Sequence, residues 1–299
     1  MRTYTDALAR AQLAGRWLDP STTPQSSRPM VERAVRLILA AKREIVDGVV
    51  NGLATLQETG WRACCALRVF LREEQARPPD PRQQPTMLYF RTSSVTYFDT
   101  TTMPWVAGME AQFPAIRDEL LAALHGKSIT ERVFLDTDVE RLNLRGQDAA
   151  PSWTGYYFYR HGARREDHCA ACPATAAAID AAPLARVPGH GPEVLYSVFT
   201  PGTHLLPHRG VTNARLVAHL PLVIPEDCAL NVGGELHRWR EGKVVVFDDT
   251  YEHEAWNHSD RTRVVMIFDV WNPFLTEVER QALADVLAGL TALQPAGTH

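Results

Sequence analysis

No run of about 18 apolar residues occurs anywhere in the chain, which excludes a membrane-spanning helix from the reading. The N-terminal stretch MRTYTDALARAQLAGRW lacks the basic-then-apolar order of a secretory leader, so a cytoplasmic location is expected. Positive charge is not in excess. With 31 Lys and Arg against 35 Asp and Glu the net charge is −4, leaving no electrostatic footprint for nucleic acid or an anionic membrane. Peptides, amino acids or small molecules are the expected partners. Cysteine is scarce too. Five residues, an odd number without the spacing of a disulfide framework, fit a reducing compartment. Cys169 and Cys172 form a CxxC, but zinc needs two further ligands that the adjacent Cys64 and Cys65 cannot easily supply, so small buried thiols are expected. No internal repeat period is present.

What is there is ordinary in bulk and specific in pattern. Apolar residues make up 45% and charged residues 22% of 299 positions, enough for one large core with a small helical appendage. Helices are expected over residues 5–18, 30–57 and 61–76. In the second, Val31, Val35, Leu37, Ile38, Ile45, Val49 and Leu53 approximate a helical stripe with Lys42, Arg43 and Glu44 opposite. ARPPDPRQQP, residues 76–85, is too rich in proline for a helix or a central strand and marks a boundary between a helical N-terminal region (1–85) and a second region (86–299). Beyond it MLYF, VTYF, VFLD and SWTGYYFYR read as strands. Residues 105–124 read as helix with Pro114 near a break, and residues 163–193 as loop, short helix (174–181) and loop.

Residues 195–271 organise the whole. Short apolar runs alternate there with the turn clusters PG, HRGVTN, IPEDC, GG, REGK and NHSDRT at intervals of about ten residues, the spacing of an antiparallel sandwich or barrel. Three polar residues fall where a plain core does not want them: His208, His253 and Arg263. Two imidazoles on neighbouring strands make a metal site, and non-heme iron oxygenases usually add a carboxylate two residues after the first His. Here that position is Gly210. Alternation puts Leu195, Ser197 and Phe199 on one face of their strand, as it does Arg215, Val217 and His219, and Arg263, Val265, Ile267 and Asp269; Val264, Met266, Phe268 and Val270 take the opposite layer. A buried Arg needs an anion, which a carboxylate ligand in the lumen provides.

The segments PHRGVTNARL, HLPLVIP, WREGKVVVFDDTYEHEAW and RVVMIFDVWNP, in this order, resemble the aspartyl/asparaginyl β-hydroxylase family. YFDTTTMPWVAGMEAQFPAIRDEL and WTGYYFYRHG followed by CPAT extend the resemblance over roughly residues 90–275. It implies a mainly β fold with flanking helices, its core (about 195–273) a double-stranded β-helix of the jelly-roll or cupin-like type. It implies Fe(II) bound by His208 and His253 without a protein carboxylate, in agreement with Gly210. It also implies 2-oxoglutarate as co-substrate and O₂ as oxidant, with the far carboxylate of 2-oxoglutarate on Arg263 and further contacts from Ser197 and His219. Arg suits a carboxylate by its planar fork, and a hydroxyl and an imidazole can donate the remaining bonds.

The substrate carries over less directly. Family members acting on aspartyl or asparaginyl residues commonly have R-L-R, whereas this chain has Arg215, Leu216 and Val217. Arg215 is the candidate for binding an acidic group. His204, His237 and His258 read as surface or turn residues. Asp248 or Asp249 is either the acceptor for the second N–H of a ligating imidazole or a turn cap, and Trp239, Trp256 and Trp271 read as packing. The expected function is an Fe(II)/2-oxoglutarate-dependent dioxygenase hydroxylating an unactivated carbon, such as the β-carbon of an aspartyl or asparaginyl residue or of a related amino-acid, peptide or acyl substrate. A silent barrel acting as binding module or sensor and a cupin-type metal isomerase are the competing readings.

Overall fold

The computed structural model describes residues 24–53, 61–125, 131–133, 140, 142–146 and 152–292. The helix expected over 5–18 and most of the strand expected at VFLD lie outside the described residues. By contact the chain divides into two units, Met1–Gln75 with Thr276–His299, and Ala76–Leu275. The first division falls in the Pro-rich stretch that the sequence marks.

In the helical unit α1 (Arg28–Leu53) and α2 (Trp61–Phe70) form as the apolar stripes require, α2 ending six residues before its expected limit of 76. Among the described residues no helix is long and apolar enough to cross a membrane.

In the second unit α3 (Pro104–Ala111) and α4 (Phe113–His125) replace the single helix expected over 105–124. Pro114 sits in the first turn of α4, where a missing N–H costs nothing, and the break falls just before it. MLYF and VTYF do not become strands; they contribute isolated bridges, Leu88 with Thr212 and Tyr97 with Phe247. Two short strands, β1 (Glu131–Arg132) and β2 (Leu144–Arg145), precede β3 (Trp153–Arg160), which is the expected aromatic strand, and β4 (Ala163–Arg164). The stretch expected to hold one short helix holds two, α5 (Glu166–Ala171) and α6 (Pro173–Asp180). Cys169 and Cys172 are buried there as free thiols.

Eight strands then build the core: β5 (Val194–Phe199), β6 (His204–His208), β7 (Arg215–Val223), β8 (Cys228–Val232), β9 (Glu235–His237), β10 (Val245–Phe247), β11 (His253–Asn257) and β12 (Arg263–Trp271). One sheet has the order β1-β3-β5-β12-β7-β10, with β4 beside β3; the other runs β2-β6-β11-β8-β9. Successive core strands mostly cross from one sheet to the other, and neighbours pair antiparallel. This is the double-stranded β-helix order, a jelly roll with flanking helices.

The period of two decides the layers. Val264, Met266, Phe268 and Val270 of β12 join Tyr196 and Leu220 in a cluster that α3, α4 and α6 cover, while Phe199, Val217, Leu230, Phe247 and Val265 face the space between the sheets. The last helix, α7 (Glu277–Ala292), groups by contact with α1 and α2, whereas the sequence reading keeps it with the sheets. Two local interactions account for this. Thr276 and Glu279 form a reciprocal N-terminal capping box, Thr276 N donating to Glu279 Oε2 at 2.9 Å and Glu279 N to Thr276 Oγ1 at 3.3 Å. The same buried Glu279 accepts both Arg62 Nε (2.8 Å) and Nη2 (2.7 Å), and Gly289 lets the helix approach so closely that a Cβ there would lie 2.6 Å from Ile45.

Phe268 is fully buried and meets Trp105 edge-on, with ring centroids 5.6 Å apart. Phe268→Ala is expected to destabilise the chain by about 3–5 kcal/mol, measured by urea unfolding; a loss below about 1 kcal/mol would contradict the packing described here.

Candidate active site

β6 and β11 are hydrogen-bonded neighbours, and their register sets His253 directly opposite His208. The two rings stand 4.0 Å apart between centroids, at 50° to one another. Each is oriented by its own strand: His208 Nδ1 lies 2.8 Å from Leu206 O, and His253 Nδ1 lies 3.1 Å from Tyr251 O. With Nδ1–H donated to a carbonyl, the Nε2 lone pair is the one left to bind a metal. Burial lowers the pKa of both, that of His253 to about 4 with His208 beside it as a second cause, so both rings are neutral near pH 7.

These carbonyls take the part that the sequence reading offers to Asp248 or Asp249. Both carboxylates are engaged elsewhere. Asp248 Oδ1 accepts from Thr250 N (2.9 Å) and Thr250 Oγ1 (2.5 Å), and its Oδ2 accepts from Gln83 Nε2 at 2.6 Å, so it closes the turn before β11. Burial pushes its pKa up to about 6. Asp249 Oδ2 accepts from Arg215 Nη2 at 2.9 Å, while its Oδ1 is buried without a partner.

Gly210 has a steric explanation. A Cβ at that position would stand 2.2 Å from the Asp249 carboxylate, so no side chain, acidic or otherwise, fits where a third protein ligand is usually found. Among the described residues no group of three or more His, Cys, Asp or Glu is placed to hold a metal ion. What the protein offers is a pair of imidazoles with the other positions open.

Across the lumen stands Arg263, 1% exposed. Its guanidinium carbon lies 4.3 Å from the ring centroid of Phe199 and 4.3 Å from that of Trp239, a clamp of two aromatic faces around one cation. Nη1 donates to Ser197 Oγ at 3.3 Å, and Nε is buried with no partner. No carboxylate pairs with it among the described residues, and burial lowers its pKa. Ser197 Oγ also accepts the indole N–H of Trp153 at 2.9 Å, which leaves its hydrogen to point at a guest. His219 lies against Trp239 and Phe247, its Nδ1 buried without a partner; burial, then Arg263, pushes its pKa well down.

Ser197, His208, His219, His253 and Arg263 all line one cavity of about 440 Å³. Arg215 lines it too, but not as an unpaired cation: Asp249 stands 2.9 Å and Asp269 3.3 Å from its nitrogens. His204, His237 and His258 do not line this cavity, whereas His161 does. His204 reaches Glu254 at 2.9 Å beside Trp256 and His258, and His237 lies against Tyr97. Trp239, read from sequence as packing, is half of the clamp; Phe199, read only for its face, is the other half, and Trp153 reaches the site by hydrogen bond. Nothing in sequence distinguishes these aromatics from ordinary core residues.

The sequence model of the aspartyl/asparaginyl beta-hydroxylase family matches residues 110–273. The chain belongs to that family. The ornithine lipid ester-linked acyl 2-hydroxylase of Rhizobium tropici is 37% identical over 189 residues, covering 62% of this chain and 63% of that protein. The human aspartyl/asparaginyl beta-hydroxylase is 37% identical over 179 residues, covering 60% of this chain and 22% of that protein. The matched region thus spans less than two thirds of either relative. Among solved structures, a prolyl hydroxylase from Trichoplax adhaerens superposes with a TM-score of 0.38 at 13% identity, over 57% of this chain and 81% of that one.

In this family member even a methyl group at position 210 collides with Asp249. Gly210→Ala is expected to lower stability by about 1–3 kcal/mol and to weaken cobalt(II) binding, read by thermal unfolding and by a visible-absorbance titration. Unchanged values of both would show that the Asp249 carboxylate is not held where it is described.

Proposed function

We propose that this β-hydroxylase family member is an Fe(II)- and 2-oxoglutarate-dependent dioxygenase that hydroxylates an unactivated carbon, that of an aspartyl or asparaginyl residue or of a related amino-acid, peptide or acyl group. The observation that carries the reading is Arg263, a buried guanidinium in a cavity that also holds two neutral imidazoles, with no carboxylate of the described chain to pair it. A desolvated cation without an anion is costly, and the cost is offset when a carboxylate enters. The residues present fit the group. Arg263, with its unpartnered Nε, Ser197 Oγ and the buried Nδ1 of His219 form a donor cradle for one end of a dicarboxylate, and the Nε2 atoms of His208 and His253 form a half-site for iron.

Iron with 2-oxoglutarate supplies the oxidation: O₂ is divided between the co-substrate, which leaves as succinate and CO₂, and a C–H bond, which becomes C–OH. The chain itself binds and orients. The carbonyls of Leu206 and Tyr251 fix which imidazole nitrogen faces the lumen, and the aromatic clamp holds the guanidinium plane without bonding its N–H groups. The two apolar sheet faces exclude water. Of the two relatives, one is named for an acyl chain and the other for aspartyl and asparaginyl residues, and both names denote hydroxylation at carbon.

Succinate release with Fe(II), 2-oxoglutarate and a candidate substrate tests the proposal. His208→Ala is expected to abolish it. Arg263→Ala is expected to raise the half-saturating 2-oxoglutarate concentration about 100-fold or more, the effect of about 3 kcal/mol from one charge-assisted bidentate contact, with Arg263→Lys falling between. Iron-dependent turnover that survives His208→Ala, or an Arg263→Ala enzyme saturating at the wild-type concentration, would refute the assignment.

A further inference from the structure

The cavity wall around Arg215 has a charge pattern that opposes an acidic guest. Asp249 and Asp269, with side chains 7% and 9% exposed, flank this one guanidinium at 2.9 and 3.3 Å. A third carboxylate, Glu193, lines the same wall, accepting His161 N at 2.6 Å and facing His161 Nδ1 at 3.0 Å, while its backbone N donates to Asp269 Oδ2 at 3.0 Å. The other cation on this wall, Arg160, is paired with Glu131, which also meets Arg165 at 3.0 Å. Among the described residues each of these cations has a carboxylate beside it, Arg215 two of its own and Arg160 one that it shares with Arg165. Asp249 Oδ1 is buried without a hydrogen-bond partner, and so is Arg215 Nη1, which faces Asp269 at 3.3 Å as an ion pair.

Between the charges the wall is apolar. Val217 lies opposite Asp269 on β12 and opposite Phe247 on β10, and Leu195, Ile267 and Tyr157 sit in adjoining register positions of the same sheet. All of them line the cavity. A carboxylate brought here loses its water beside like charges, a cost that falls on the anionic guest alone, whereas a methylene chain gains about 0.8 kcal/mol for each CH₂ it buries.

Resting on the function proposed above, we infer that the group presented for oxidation is a neutral aliphatic chain, such as the acyl chain of an amide or ester, and not an acidic side chain. Val217 sets that preference, and Arg215 is a fixed part of the wall. An arginine at position 217 would bring the missing unmatched cation to the edge of Asp269; a valine brings hydrocarbon.

The test is calorimetric binding to the full chain loaded with Zn(II) and 2-oxoglutarate, which does not turn over, so its outcome is separate from that of the succinate assay. The probes are N-octanoylglycinamide and the acetylated, amidated tripeptide Ala-Asp-Ala. The octanoyl probe is expected to bind at least about tenfold more tightly, the effect of about 1.4 kcal/mol. Val217→Arg should reverse the order. Val217→Thr, nearly the same size and uncharged, should weaken the octanoyl probe without favouring the peptide, and it serves as the check should the Arg variant fail to fold. Equal or tighter peptide binding by the wild type, no binding of the octanoyl probe, or a Thr variant that prefers the peptide would overturn the inference.

Discussion

A cation buried between two aromatic rings, with no acid paired to it among the described residues, is the constraint around which this barrel is arranged. Arg263 opens β12, directly opposite Phe199 of β5, and Trp239 closes the other face of its guanidinium. Cation–π contact lessens the desolvation cost without using the N–H groups, so the hydrogen-bonding edge stays available to a guest. Replacing either ring by an acid would satisfy the charge and close the site. The arrangement keeps an unfilled demand for a carboxylate in the interior, with Arg263 and Phe199 fixed opposite one another by the pairing of β12 with β5.

The imidazole pair follows a related economy. Antiparallel pairing of β6 with β11 sets His208 and His253 opposite one another with their rings tilted by 50°, and the pairing is irregular just after His253. Because backbone carbonyls orient both rings, no carboxylate is needed behind them, and Asp249 is left to occupy the space over Gly210 and to pair with Arg215. The lack of a side chain at position 210 is thus a packing result: the volume is already filled by the Asp249 carboxylate.

The parts legible in sequence are those set by a period or by chemistry intolerant of substitution. The inward set of β12, Arg263, Val265, Ile267 and Asp269, and the outward set, Val264, Met266, Phe268 and Val270, follow from alternation alone, and the cavity brings together all five residues expected to hold metal or co-substrate. Less legible were features decided by tertiary partners. MLYF has the composition of a strand but meets only one bridge partner, so pairing overrides propensity. Trp239 and Phe199 are indistinguishable from core aromatics until the cation between them is seen. Arg215 looks like an anion receptor until Asp249, thirty-four positions away, and Asp269 are found against it.

The two ends of the cavity are written on one strand. Arg263 and Asp269 share the inner face of β12 six positions apart, which at about 3.3 Å per residue separates them by about 20 Å. Each end has its own neighbours: Phe199, Ser197 and Trp239 at one, Val217, Arg215 and Glu193 at the other. Residues that far apart with no shared partner change their energies independently. Under the function proposed above, a fold built this way can keep its Arg263 end fixed while the opposite wall varies. On the inference drawn above, the choice of guest lies in the few side chains around Arg215.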